Sequence, residues 1–154
     1  MIIKNGLVFQ EDGTFAPKDI YIHKGKIVSS ESETEDKSVY DAQGMKVLPG
    51  LVDIHSHGAF GHDFCDADPE GLKEILRYEK SHGITSYCPT SMTLSKERLL
   101  EIFSSVKDLE TSSDMARIAG INMEGPFVDV KKKGAQAAEH ICPPDPEFFR
   151  LCNE

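Results

Sequence analysis

Two histidines and an aspartate recur at every second position of one apolar segment. Asp53, His55 and His57 occupy positions i, i+2 and i+4 of residues 51–57. In an extended strand these side chains would leave the same face, with neighbours about 6 to 7 Å apart. Imidazoles and carboxylates are ligands of divalent transition metals, so the spacing favours a metal site at the end of this strand. A His-x-His pair also occurs by chance, and alone it decides nothing.

A carboxylate farther along the chain offers a third ligand. Glu124 ends an apolar run, and Gly125 and Pro126 directly after it predict a sharp turn. If this run and residues 51–57 are parallel strands of one sheet, their carboxyl ends meet at the same edge. Glu124 would then face the histidines, whereas the alternative interpretation is a surface glutamate at a strand end.

The order of elements after residue 48 predicts an α/β fold. Strand-like runs at 51–57, 84–89 and 117–123 alternate with two helices that Asp68 and Ser95 can cap, and a third helix begins near residue 143. This order predicts right-handed crossovers and a parallel sheet. A parallel sheet can be an open doubly wound sheet or part of a closed barrel. No Gly-x-Gly-x-x-Gly follows the first strand, so the open dinucleotide-binding fold loses its main support and a barrel remains.

The first 48 residues follow a different pattern. Short strand-like runs separated by turn residues predict a small β unit, with strands at 2–9, 19–23, 27–30 and 39–47. We therefore expect two domains, 1–48 and 49–154. An eight-unit barrel typically takes about 250 residues, more than twice the length of the second domain. The sequence thus predicts the N-terminal portion of a longer protein.

Charge and composition exclude several classes of protein. The chain carries 17 Lys and Arg against 26 Asp and Glu, a net charge of −9, which argues against nucleic-acid binding. No apolar run approaches the roughly 18 residues of a membrane span, and the N-terminus lacks signal-peptide features. We expect a cytoplasmic protein with no membrane partner. The four cysteines form no Cys-x-x-Cys pair, which favours free thiols without a metal role.

Two longer motifs carry a resemblance to a known family. The run Leu-Pro-Gly-Leu-Val-Asp-Ile-His-Ser-His-Gly at 48–58 resembles the first barrel strand of the amidohydrolase superfamily, whose members are metal-dependent hydrolases. The run Met-Glu-Gly-Pro-Phe at 123–127, followed by Lys-Lys-Gly-Ala-Gln at 132–136, is more selective. Together they resemble the N-acetylglucosamine-6-phosphate deacetylase family. The similarity runs through essentially the whole chain and covers the first part of a typical member.

The resemblance implies a fold and a set of site residues. The fold would be the first part of a metal-dependent (β/α)8 barrel preceded by a small β-sandwich segment. Glu124 would bind the principal metal, and His55 and His57 would hold a second ion, so that the cofactor is one or two ions of Zn²⁺, Fe²⁺ or Mn²⁺. Ala135, through its backbone, and Gln136 would contact the substrate sugar.

The resemblance also implies an activity for the complete protein. This is hydrolysis of the acetamide of N-acetylglucosamine 6-phosphate, a step of amino-sugar catabolism, by a homodimer. The family's two further histidine ligands and its aspartate general base match nothing in the 154 residues, so no catalytic residue is assigned and the isolated chain is expected to be inactive. Open alternatives are the galactosamine epimer as substrate, another amidohydrolase, or a non-catalytic remnant. His62, His82, His140 and the lysines at 131–133 are interpreted as surface or loop residues.

Overall fold

The computed structural model describes residues 1–153, which divide into two compact units between Pro49 and Gly50. The first unit is a single mixed β-sheet. Its strands are β1 (Ile2–Phe9), β2 (Phe15–His23), β3 (Lys26–Val28), β4 (Val39–Asp41) and β5 (Lys46–Val47). β2 pairs with β1 and β3 in antiparallel fashion, whereas β4 and β5 both run parallel to β1.

The strand predicted at 39–47 is wrong as a continuous element. The chain leaves the sheet after Asp41, because Gln43 and Gly44 have left-handed φ values of 47° and 78° that a strand does not accommodate. The turn is closed by a hydrogen bond from the backbone N–H of Met45 to the carbonyl of Ala42, a buried residue. The chain then rejoins β1 as β5.

The second unit alternates strands and helices. Its strands are β6 (Leu51–Ser56), β7 (Gly58–Ala59), β8 (His62–Asp63), β9 (Ile84–Ser91), β10 (Arg117–Ile118) and β11 (Asn122–Met123), and its helices are α1 (Pro69–Ser81), α2 (Lys96–Lys107) and α3 (Pro146–Leu151). β6, β10 and β11 each pair with β9 in parallel, which makes β9 the central strand. The predicted α/β class with a parallel sheet is confirmed.

Side-chain caps define where the helices begin. Asp68 accepts a hydrogen bond from the backbone N–H of Glu70 at the start of α1, and Ser95 accepts one from Arg98 at the start of α2. α3 starts at Pro146, three residues later than the sequence predicted, because Asp145 provides its cap. Apolar side chains from both long helices and β9, together with three from the turn at 64–66 and the segment before β10, form one buried core. Its members are Phe64, Leu72, Ile75, Leu76, Tyr87, Ile102, Met115 and Ala116.

The strand predicted at 117–123 is interrupted. Its two ends form β10 and β11, whereas residues 119–121 leave the regular pairing with β9. One hydrogen bond, from the backbone N–H of Ala119 to the carbonyl of Tyr87, continues the ladder past β10. The interruption leaves β11 as the short element that carries the chain into Glu124.

Among the described residues, no helix is both long enough and apolar enough to cross a membrane. The cysteines at 65, 88, 142 and 152 are free thiols, each partly buried.

Gly58 offers a test of the hairpin that follows β6. A Cβ atom at this residue would lie 2.1 Å from the carbonyl oxygen of His62, a backbone atom that cannot rotate away. We expect Gly58→Ala to lower the free energy of unfolding by about 1–3 kcal/mol. Gly120→Ala is the matched control because no atom of residues 1–153 lies within 4 Å of its Cβ position, and it should change stability by less than about 0.5 kcal/mol. Equal losses in urea unfolding of the two variants would contradict the close approach.

Candidate metal centre

Three side chains meet at the carboxyl ends of the parallel strands. His55 lies in β6, His57 follows that strand directly, and Glu124 follows β11. Because β6 and β11 both run parallel to β9, their ends lie at one edge of the sheet. Of the sequence-predicted metal ligands, the structure therefore brings His55, His57 and Glu124 together.

The distances within this cluster suit a shared cation. Glu124 Oε2 lies 2.9 Å from His55 Nε2 and 3.2 Å from His57 Nε2, and the three atoms all lie within 4.8 Å of one another. Ligand atoms around a tetrahedral ion with bonds of about 2.1 Å are about 3.4 Å apart. The spacing is thus close to that of ligands bound to one ion or to two adjacent ions.

A backbone carbonyl determines which ring nitrogen of His57 carries the hydrogen. Its Nδ1 lies 3.0 Å from the carbonyl oxygen of Thr90, which can only accept a hydrogen bond, so Nδ1 must carry the hydrogen. In the neutral ring Nε2 then presents a lone pair, and this lone pair faces a carboxylate oxygen of Glu124. Two lone pairs repel unless a proton or a cation lies between them. The donor set therefore fits a divalent cation, with the ring oriented as metal-binding histidines usually are.

The surroundings of Glu124 favour its ionised form. The hydrogen bond from His55 lowers the pKa of Glu124, and the nearby amide of Gln136 and the positive charge that the histidines carry when protonated act in the same direction. Partial burial opposes this shift but does not reverse it. About a third of the Glu124 side chain and about half of the His55 side chain are exposed, so small molecules can reach the cluster.

Asp53 does not belong to the cluster, and the prediction that it shares a face with the two histidines is wrong. The pairing of β6 with β9 shifts between Asp53 and Ser56. Asp53 pairs with Tyr87 and Ser56 pairs with Pro89, so this stretch of β6 contains one residue more than the matching stretch of β9. Such a bulge interrupts the two-residue alternation of a strand. The carboxylate of Asp53 instead accepts the backbone N–H of His55 at 2.8 Å, and its charge acts on Glu79 of α1.

The other predicted residues take separate positions. Gln136 is buried, with 5% of its surface exposed, and its Oε1 accepts the backbone N–H of Thr93 at 2.7 Å. Ala135 beside it is exposed. Among the described residues the ligand cluster does not include His62, His82 or His140, and the ring of His82 packs against Tyr78 at the end of α1.

Thr93 is a residue that the sequence did not single out. It lies in the loop after β9 and is 1% exposed. Its backbone N–H contacts Gln136, and its hydroxyl donates to the carbonyl of Glu124 at 3.2 Å. These partners are 43 and 31 positions away, so no local motif could have indicated them.

Several curated relatives are N-acetylglucosamine-6-phosphate deacetylases. No protein-family model matches the chain. It is 31% identical over 157 residues to N-acetylglucosamine-6-phosphate deacetylase of Lysinibacillus sphaericus, an alignment that covers 97% of this chain and 40% of that protein. The chain thus spans about two fifths of the length of the curated relatives it matches.

Solved structures agree in fold. N-acetylglucosamine-6-phosphate deacetylase of Thermotoga maritima superposes with a TM-score of 0.73 at 30% identity, over 97% of this chain and 39% of that one. A variant of the Mycobacterium smegmatis enzyme, in complex with N-acetyl-D-glucosamine 6-phosphate, superposes with a TM-score of 0.77 at 22% identity over 99% and 39%. The predicted relationship to these deacetylases is confirmed for the part that the chain matches.

The electrostatic coupling in the cluster predicts a specific titration. In chelator-treated protein, His55→Ala should raise the pKa of the Glu124 carboxyl, because the hydrogen bond from His55 is the largest cause of its lowering. Carbon-13 NMR of the carboxyl group measures this value. His82→Ala, which removes an imidazole outside the cluster, should leave it unchanged. An unaltered Glu124 titration in His55→Ala would show that the two side chains do not interact in solution.

Proposed function

We propose that this chain is part of an N-acetylglucosamine-6-phosphate deacetylase, because it is similar to such enzymes over about two fifths of their length. The reaction is hydrolysis of the acetamide of N-acetylglucosamine 6-phosphate, which gives glucosamine 6-phosphate and acetate in amino-sugar catabolism. The single observation that carries the proposal is the convergence of His55, His57 and Glu124 at one edge of a parallel sheet.

The proposal includes the architecture of the complete enzyme. Residues 49–154 would form the first strands and helices of a (β/α)8 barrel, and residues 1–48 would form part of a small β-sandwich. Parallel strands connected through helices, with the ligand cluster at their carboxyl ends, support this assignment because barrel enzymes bind their substrates at that end. The full-length protein would act as a cytoplasmic homodimer on a small amino-sugar phosphate.

The metal ligands are assigned by residue. Glu124 would bind the principal ion, and His55 and His57 would hold a second ion beside it. A bound divalent ion supplies Lewis acidity, which makes water more acidic and the amide carbonyl more electrophilic. Nitrogen and oxygen donors are compatible with Zn²⁺, Fe²⁺ and Mn²⁺ and do not choose among them.

The chain's own residues have distinct tasks in this reaction. The ionised carboxylate of Glu124 offsets the charge of the cation, and the Thr90 carbonyl keeps the Nε2 of His57 directed at Glu124. The exposed backbone of Ala135 and the amide nitrogen of Gln136 would contact the sugar, since the amide oxygen of Gln136 is already bonded to Thr93. The remaining histidine ligands and the aspartate that acts as general base would come from the rest of the full-length enzyme.

Glu124→Gln in the full-length enzyme tests the assignment. The substitution keeps the size of the side chain but removes the charge, and acetate release from N-acetylglucosamine 6-phosphate should fall more than about a hundredfold. Glu139→Gln, at an exposed glutamate in the short turn 138–140, is the matched control and should retain activity. Wild-type rates in Glu124→Gln would remove the proposed role.

Metal removal provides an independent test. Dialysis of the full-length enzyme against a chelator should abolish acetate release, and Zn²⁺, Fe²⁺ or Mn²⁺ should restore it. Parallel assays with the galactosamine epimer identify the substrate. Full activity of protein that elemental analysis shows to be metal-free would contradict a metal-dependent hydrolase, and a faster rate with the epimer would replace the proposed substrate.

A further inference from the structure

A buried hydrogen-bonded group lies behind the metal cluster. Thr93 and Gln136 are 1% and 5% exposed, although both side chains are polar. The backbone N–H of Thr93 donates to Gln136 Oε1 at 2.7 Å, and the hydroxyl of Thr93 donates to the carbonyl oxygen of Glu124 at 3.2 Å. One residue of the loop after β9 thus contacts both the backbone of Glu124 and the side chain of Gln136.

These bonds settle the orientation of the Gln136 amide. A backbone N–H can be accepted only by the amide oxygen, so the NH₂ group must lie on the other side. There it lies 3.8 Å from the sulfur of Met92, to which it can donate. The Gln136 amide is therefore held on both sides by the loop after β9, through Thr93 and Met92.

The backbone after Glu124 packs directly on Thr93. Gly125 has a φ of +85°, and a Cβ atom there would lie 1.9 Å from the hydroxyl oxygen of Thr93. Only glycine permits both this backbone conformation and this approach. The direction in which the chain presents Glu124 therefore depends on its contact with Thr93.

We infer that Thr93 and Gln136 are positioning residues for Glu124: Thr93 fixes the backbone of Glu124, and Gln136 fixes Thr93. The inference rests on the proposed metal-binding role of Glu124. It gives Gln136 a function that is separate from contact with the sugar. Groups that orient a metal ligand typically contribute a factor of 10 to 100 in metal affinity.

The two roles of Gln136 have different consequences. A residue that only contacts the sugar affects KM and leaves metal affinity in sugar-free protein unchanged. A residue that positions Glu124 affects metal affinity without sugar present, and it lowers kcat more than it raises KM. A residue that only stabilises the fold lowers the unfolding temperature and does neither.

The experiment uses four variants of the full-length protein. Gln136→Met removes the hydrogen bonds of the amide with Thr93 and Met92 at similar size, Thr93→Val removes only the hydroxyl, and Thr93→Ser retains the hydroxyl. Ser91→Ala is the matched control, because the hydroxyl of Ser91 is buried near the site without a hydrogen-bond partner in residues 1–153. Zn²⁺ affinity is measured by competition with a chelating dye, together with kcat, KM and thermal unfolding of the metal-free protein.

The expected result is a tenfold to hundredfold loss of Zn²⁺ affinity in Gln136→Met and Thr93→Val, with affinities near wild type in Thr93→Ser and Ser91→Ala. Zn²⁺ affinities within twofold of wild type in folded Gln136→Met and Thr93→Val would overturn the inference, as would a change confined to KM. If either Gln136→Met or Thr93→Val does not fold, the Zn²⁺ affinity of the other variant tests the inference. Failure of the unmodified protein to bind Zn²⁺ would instead reject the proposed function.

Discussion

The carboxylate of Glu124 is the group on which the rest of the site depends. It lies within 3.2 Å of two imidazole nitrogens, and its negative charge and the lone pairs of the neutral rings must be compensated together. A proton can bridge only one contact between the carboxylate and an imidazole nitrogen. A divalent cation can bind the carboxylate and both imidazole nitrogens together, and it leaves the rings neutral. The arrangement of the surrounding backbone follows from the need to hold these three groups at ligand distance.

The central strand β9 organises the site although it supplies no ligand. The Thr90 carbonyl near its end orients His57, and Thr93 in the following loop holds Glu124. His55 and Glu124 are 69 positions apart, and only the parallel alignment of their strands on β9 brings them together. Changes at the end of β9 should therefore disturb the positions of both His57 and Glu124.

Sequence spacing predicted the elements whose signals are local. The caps at Asp68 and Ser95 marked the helix starts, and the positions of His55, His57 and Glu124 at strand ends indicated the cluster. The caps depend on residues close in sequence, whereas the cluster depends on one assumption, a parallel sheet. Both could be read without coordinates.

The features that sequence missed depend on tertiary pairing. The bulge that separates Asp53 from the histidines arises where β6 pairs with β9, and the alternation of residue types does not reveal it. The same holds for the break between β10 and β11. The contacts of Thr93 join segments more than thirty positions apart, and a threonine after a strand carries no signal of them.

The most direct measurement of the central claim is the position of the ion. Diffraction data collected at the absorption edge of the bound metal, on crystals of the full-length protein, would locate it independently of any assumed ligands. We expect an anomalous peak about 2.0–2.3 Å from the Glu124 carboxylate, with His55 Nε2 and His57 Nε2 at that distance from the same ion or from an adjacent one. A peak remote from all three side chains would contradict the proposed centre.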